Sequence, residues 1–128
     1  MRTSNKKGLN NFNLFIILVR VKSIEDTRIL FQKSQLFFAA LGDPIRQELM
    51  MSMMGPERLS VKDLTGRTKL SRPTISHHLK VLKEANIIIE HKVGREIFYQ
   101  PQPGENYAAV KELMNIIDQT IKNKGVIQ

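Results

Sequence analysis

Apolar residues recur at helical spacing through most of the chain and alternate with polar ones only in one stretch near residue 90. Between residues 24 and 41, Ile29, Leu30, Leu36, Phe37, Ala40 and Leu41 fall on one stripe, which predicts a helix. Ser23, with Asp26 three residues on, is a capping box at its start, and Gly42 stops it. Asp43 then caps a second helix with Pro44 at its first position, and Ile45, Leu49 and Met53 turn inward before Gly55-Pro56 ends it. The cluster Met50-Met51-Ser52-Met53-Met54 reads as core filler rather than an adaptable binding surface, because Met at helical spacing usually packs inward. Ser60 caps a third, short helix over residues 61 to about 67, with Val61 and Leu64 inward. Thr68, Lys69 and Leu70 lead into a fourth, capped by Ser71, with Pro73 in its first turn and Ile75, Leu79 and Leu82 at i, i+4 and i+7.

After residue 84 the pattern changes. Asn86 ends the helix, and Ile87-Ile88-Ile89-Glu90-His91-Lys92 is β-branched and strand-like. Val93-Gly94 is expected to turn the chain, and residues 95–100 return as a second strand with Ile97 and Tyr99 on one face. Pro101 and Pro103 close the sheet. A last helix, from Glu105 to about Asn123, carries Val110, Leu113, Met114, Ile117 and Ile121 on one stripe. Two short helices joined by a three- or four-residue turn, followed by a hairpin, give a mainly α fold with a small β-hairpin: a winged helix-turn-helix, five helices with the hairpin between the fourth and the fifth.

Charge sharpens this picture. The chain of 128 residues carries a net charge of +8, which favours a polyanionic partner. Residues 58–83 hold seven cations against one acid, Asp63, so that charge is concentrated on the helix-turn-helix, whereas residues 84–128 hold five cations and six acids. On the fourth helix Pro73, Thr74, His77 and Lys80 lie opposite the apolar stripe with Ser76 at their flank, a face of short donors and cations suited to a DNA major groove. A solvated helix also has a polar outer face, so it is the preceding helix, turn and local charge that favour DNA. The DNA-contacting residues expected are Lys69, Ser71, Arg72, Pro73, Thr74, Ser76, His77 and Lys80, with Lys92 and Arg95 on the hairpin. Lys62 and Lys83 are expected to reach phosphates.

Cysteine is absent, which excludes disulfides, thiolate metal sites and cysteine nucleophiles and fits a reducing cytoplasm. In the segment from Phe12 to Val21 the run Leu14 to Val19 is unbroken apolar, but ten residues fall short of the about 20 that span a bilayer. No small-x-small cleavage site follows it, so neither membrane insertion nor secretion is expected and the location expected is cytoplasmic. The organisation read from the chain is an N-terminal extension over residues 1–22, packing as an extra strand or helical turn on the domain or on a partner chain, a winged helix-turn-helix domain over 23–124, and a tail over 125–128. There is no phosphate-cradling glycine loop, no G-x-S-x-G and no nucleophile set, so no enzyme activity and no cofactor are expected.

Three motifs in order carry a family resemblance. Ala40-Leu41-Gly42-Asp43-Pro44-Ile45-Arg46 resembles the A-L-[SG]-D-P-x-R segment of the ArsR family of bacterial winged-helix repressors. Residues 71–82 resemble its S-x-P-x-[VI]-S-x-H-L-x-x-L reading helix, and Gly94-Arg95-Glu96-Ile97-Phe98-Tyr99 its G-R-x-x-x-Y wing. The resemblance implies a homodimer, closed by the first and last helices, on an inverted repeat of double-stranded DNA. Leu36, Phe37, Val110, Leu113, Met114, Ile117 and Ile121 are the interface residues expected. Many members sense metals, and here the chain departs. The family's Cys-Val-Cys-Asp-Leu segment is matched by Ser60-Val61-Lys62-Asp63-Leu64, and the last helix has no His, so no metal site is expected. The alternatives are a protein-interaction module that no longer reads DNA, and a regulator sensing a small non-metal ligand.

Overall fold

Helix α1 (Ile24–Leu41) begins where Ser23 and Asp26 cap each other, the Asp26 N–H donating to Ser23 Oγ at 3.0 Å and the Ser23 N–H to Asp26 Oδ2 at 3.3 Å. The computed structural model describes Asn11, residues 23–102 and residues 104–125. The expectations placed on the extension at 1–22 and on Pro103 fall outside them, as do residues 126–128. Asp43 caps α2 (Pro44–Met53) by accepting from the N–H groups of Ile45 and Arg46. Ser60 caps α3 (Val61–Gly66) and Ser71 caps α4 (Arg72–Glu84). Asn86, at φ 58°, breaks the chain away from α4 into the sheet. Helix α5 (Glu105–Lys124) closes the chain and lies against α1.

The sheet has one strand more than the hairpin expected. Strand β1 (Leu59–Ser60) pairs antiparallel with β3 (Glu96–Pro101), which also pairs with β2 (Ile88–Val93), giving the order β1-β3-β2. Leu59 faces Tyr99 across the ladder and Ser60 faces Phe98. Two residues are too few to show a period, and what specifies β1 is its partner strand. The wing turn also falls one residue later than expected: Val93 pairs with Glu96, leaving Gly94 and Arg95 at the tip, with Gly94 at φ 62°.

Leu49, Leu64, Ile75, Leu79, Leu82 and Ile88 fill the core with almost no exposure. All but Ile88 come from the inward stripes of α2, α3 and α4, and the core thereby fixes the rotation of α4 and the face it leaves outside. The methionines divide: Met50 and Met53 enter the core, while Met51 and Met54 are exposed, so the core reading holds for half of the cluster. At the far end of α4, Asn106 Nδ2 donates to Ala85 O at 2.9 Å, and a Cβ on Gly104 would come within 2.7 Å of Asn86 O. The start of α5 is therefore pressed onto the corner where the reading helix ends.

Candidate nucleic-acid interface

The outer face of α4 is set by its cap and its core stripe. Ser71 Oγ accepts from the Thr74 N–H at 3.4 Å and shares a hydrogen bond with Thr74 Oγ1 at 2.9 Å, so these two hydroxyls hold each other at the helix start. Ser71, Arg72, Pro73, Ser76, His77 and Lys80 are exposed, Thr74 is half-buried, and α4 exposes no large apolar side chain. His78, next to His77, instead turns inward and is 8% exposed. The two rings lie 5.8 Å apart at 57°. Lys80 Nζ lies 3.9 Å from Glu84 Oε1, so an acid one turn on accompanies this face.

The wing is fastened beside the reading helix by Glu90. Lys83 Nζ donates to Glu90 Oε1 at 2.6 Å, and the bond to Glu90 holds the ammonium above its usual range. Tyr99 stands opposite Glu90 on β3, and its hydroxyl is pushed up first by burial and then by that carboxylate. Lys83, expected from the sequence at a phosphate, is thus paired with the wing strand while its side chain stays 49% exposed. Arg67 is likewise paired with Glu57, at 3.2 Å.

Lys69, Lys92 and Arg95 are exposed, and among the described residues none of them nor Arg72 enters an ion pair. The fold brings Arg72 at the start of α4 and Arg95 at the wing tip onto one cleft of about 260 Å³, which Ser60, Lys62 and Glu96 also line. Three cations, from α3, α4 and the wing, thus line one cleft together with the carboxylate of Glu96. Sequence reasoning placed these cations separately. Their convergence follows from the β1–β3 pairing, which draws the start of α3 against the wing.

A metal does not fit the segment that carries the family's thiolates. Ser60 Oγ accepts from the Asp63 N–H at 3.1 Å, and Asp63 Oδ2 accepts from the Ser60 N–H at 2.9 Å. Ser60 Oγ and Asp63 Oδ2 are engaged in capping α3, neither residue is a thiolate, and Lys62 between them is a cation. Among the described residues no three His, Cys, Asp or Glu side chains are grouped to hold an ion. None of the described helices is long and apolar enough to cross a membrane.

The surface predicted for a partner chain is divided by the packing. Leu113 is wholly enclosed within the subunit, with no exposure, and so lies beneath the surface rather than on it. Leu36 is 58% exposed, Met114 46%, Ile117 37% and Ile121 54%, while Phe37 and Val110 are half-buried. Ile24 and Phe31 of α1 and Ile116, Ile117 and Ile121 of α5 line an apolar groove that the sequence expectation only partly contained.

Residues 43–90 match the family described as "Bacterial regulatory protein, arsR family". The chain is 31% identical over 88 residues to the transcriptional repressor SdpR of Bacillus subtilis, a match covering 69% of this chain and 91% of that one. It is 38% identical over 63 residues to a transcriptional repressor SmtB homolog of Synechocystis, covering 49% and 47%. Among solved structures it resembles an ArsR-like transcriptional regulator from Rhodococcus, with a TM-score of 0.63 and 29% identity over 73% of this chain and 84% of that one.

Proposed function

The chain belongs to the arsR family of bacterial transcriptional regulators, and from that premise we propose that it is a cytoplasmic repressor that binds an inverted-repeat operator as a homodimer. The observation that carries this reading is the face of α4, which presents Arg72, Thr74, Ser76 and His77 beside the Arg95 wing and exposes no large apolar side chain. A protein-docking module would need an apolar or acidic surface there. Thr74, Ser76 and His77 read base edges, whereas Lys62, Arg72 and Arg95 hold phosphates.

Two copies joined through α1 and α5 would set two reading helices about 34–36 Å apart, one DNA turn, which matches two halves of a palindrome. The exposed apolar side chains of both helices support that pairing. The names of SdpR and the SmtB homolog support repression. The protein acts without catalysis, and its effector is not a transition metal, because the family's thiolate positions are Ser60 and Lys62.

Footprinting of the DNA upstream of its own gene tests the reading. Protection of two symmetry-related half-sites about 10 base pairs apart is expected. Binding of every fragment within a few-fold of random DNA would overturn it, since specific sites exceed random ones by about 10³ or more.

A further inference from the structure

We propose that Arg46 is the residue that positions the reading helix for DNA, and that it does so through a neutral His78. The Arg46 guanidinium spans three helices. Its Nε donates to Ala40 O at 2.6 Å and its Nη2 to Ala39 O at 3.2 Å, two of the last four carbonyls of α1 that the helix leaves unpaired. Asp43, the cap of α2, lies 3.8 Å away. On the third side Arg46 Nη1 lies 3.2 Å from Nδ1 of His78, in the middle of α4. The side chain is 14% exposed; its bonds to Ala40 O and His78 Nδ1 are part-buried and that to Ala39 O is exposed.

Arginine has donors only, so Nδ1 must accept with its lone pair; the ring proton then sits on Nε2 and the imidazole is neutral. His78 backs His77, which stands on the DNA face. Gln47 Nε2 closes the same end of α1 by donating to Leu41 O at 2.7 Å. Helix α1, which bears the exposed apolar stripe, is thus tied to the helix that reads bases by one planar fork.

The charged or titratable groups facing His78 are Arg46 and Asp43 from α2 and His77 from α4, and α1 offers the fork only carbonyls. Asp43 already serves Ile45, Arg46 and the guanidinium. The fork therefore holds α4 against α1, and His78 is the group on α4 that receives it.

The proposal rests on the DNA reading above, and its test separates the two. Arg46→Lys keeps the charge but cannot fork, and should lower the ratio of operator to random affinity about tenfold with the helical content and the oligomeric state unchanged. His78→Leu should do the same. His78→Asn, whose amide oxygen can take the place of Nδ1, should keep the ratio within about twofold. In the free protein, the ¹⁵N signal of His78 Nδ1 should be that of an unprotonated, hydrogen-bonded nitrogen at neutral pH, and should move in Arg46→Lys. Unchanged ratios in Arg46→Lys and His78→Leu, or a proton on Nδ1 at neutral pH, would overturn the role of Arg46. Failure of the unmodified protein to prefer any fragment would instead overturn the DNA reading, and the nitrogen signal, measured without DNA, would still uphold or refute the contact.

Discussion

Ser60 and Asp63 hold each other by two reciprocal hydrogen bonds, each backbone N–H donating to the other residue's side chain, at 2.9 and 3.1 Å. This closes the first turn of α3 and engages Ser60 Oγ and Asp63 Oδ2 at the segment that matches the family's metal position. The bonds from Ser60 hold the Asp63 carboxyl below its ordinary value, and those from the Arg46 and Ile45 backbone do the same for Asp43.

Acid stability follows with a definite sign. Both carboxyls have folded-state values below the ordinary 3.8, so their contribution is complete above that pH and is lost as pH falls below it, through the lowered values. Asp63→Asn should reduce the melting temperature at neutral pH and should flatten the decline below about pH 4. Thermal melts from about pH 7 to 2.5 check this. Parallel curves for the variant and the unmodified protein throughout would contradict the role given to the capping box.

The α5 stripe separates stability from association. Leu113 has no exposure, and the neighbouring Met114 is 46% exposed. Leu113→Ala should cost about 2–5 kcal/mol in urea unfolding, as large-to-small core changes do. Ile117→Lys, at a position 37% exposed, should keep the circular dichroism of the fold and yield monomers at tens of micromolar. Light scattering decides the second point, and a dimer surviving Ile117→Lys together with Ile121→Lys would place the partner surface elsewhere.

What the sequence discloses here is whatever local chemistry decides. Ser23, Asp43, Ser60 and Ser71 each announce a helix because a cap works within four residues, and all four do cap. Leu113 and Met114 share one stripe in the sequence, and only contact with α1 buries the first and leaves the second outside. Met53, the last residue of α2, and Met54, its C-cap, likewise part: the first is buried and the second exposed. Strand β1 is set by Tyr99 and Phe98, about forty residues away, and no window around Leu59 contains that instruction. The exposed face of α4 was legible because its own apolar stripe fixes it. The grouping of Lys62, Arg72 and Arg95 on one cleft was not, because three elements must first assemble.

Positioning and reading should come apart by mutation. Arg95 is exposed at the wing tip and shares its cleft with Arg72 and Lys62, where it can neutralise a phosphate without sensing sequence. His77 is exposed on α4, backed by His78, where one good contact to a base edge is worth about 1–3 kcal/mol of discrimination. Arg95→Ala should weaken operator and random DNA by similar factors and reduce the slope of log affinity against log salt by about one unit. His77→Ala, or Thr74→Ala, should lower operator affinity while leaving random DNA nearly unchanged, because no phosphate contact is removed. Competition titrations at two or more salt concentrations measure both quantities in one series. Thr74 carries a further cost, since its hydroxyl is bonded to Ser71 at the cap, so His77→Ala is the cleaner probe of reading. Equal ratios of specific to random affinity in Arg95→Ala and His77→Ala would show that the helix and the wing do not divide the work in this way.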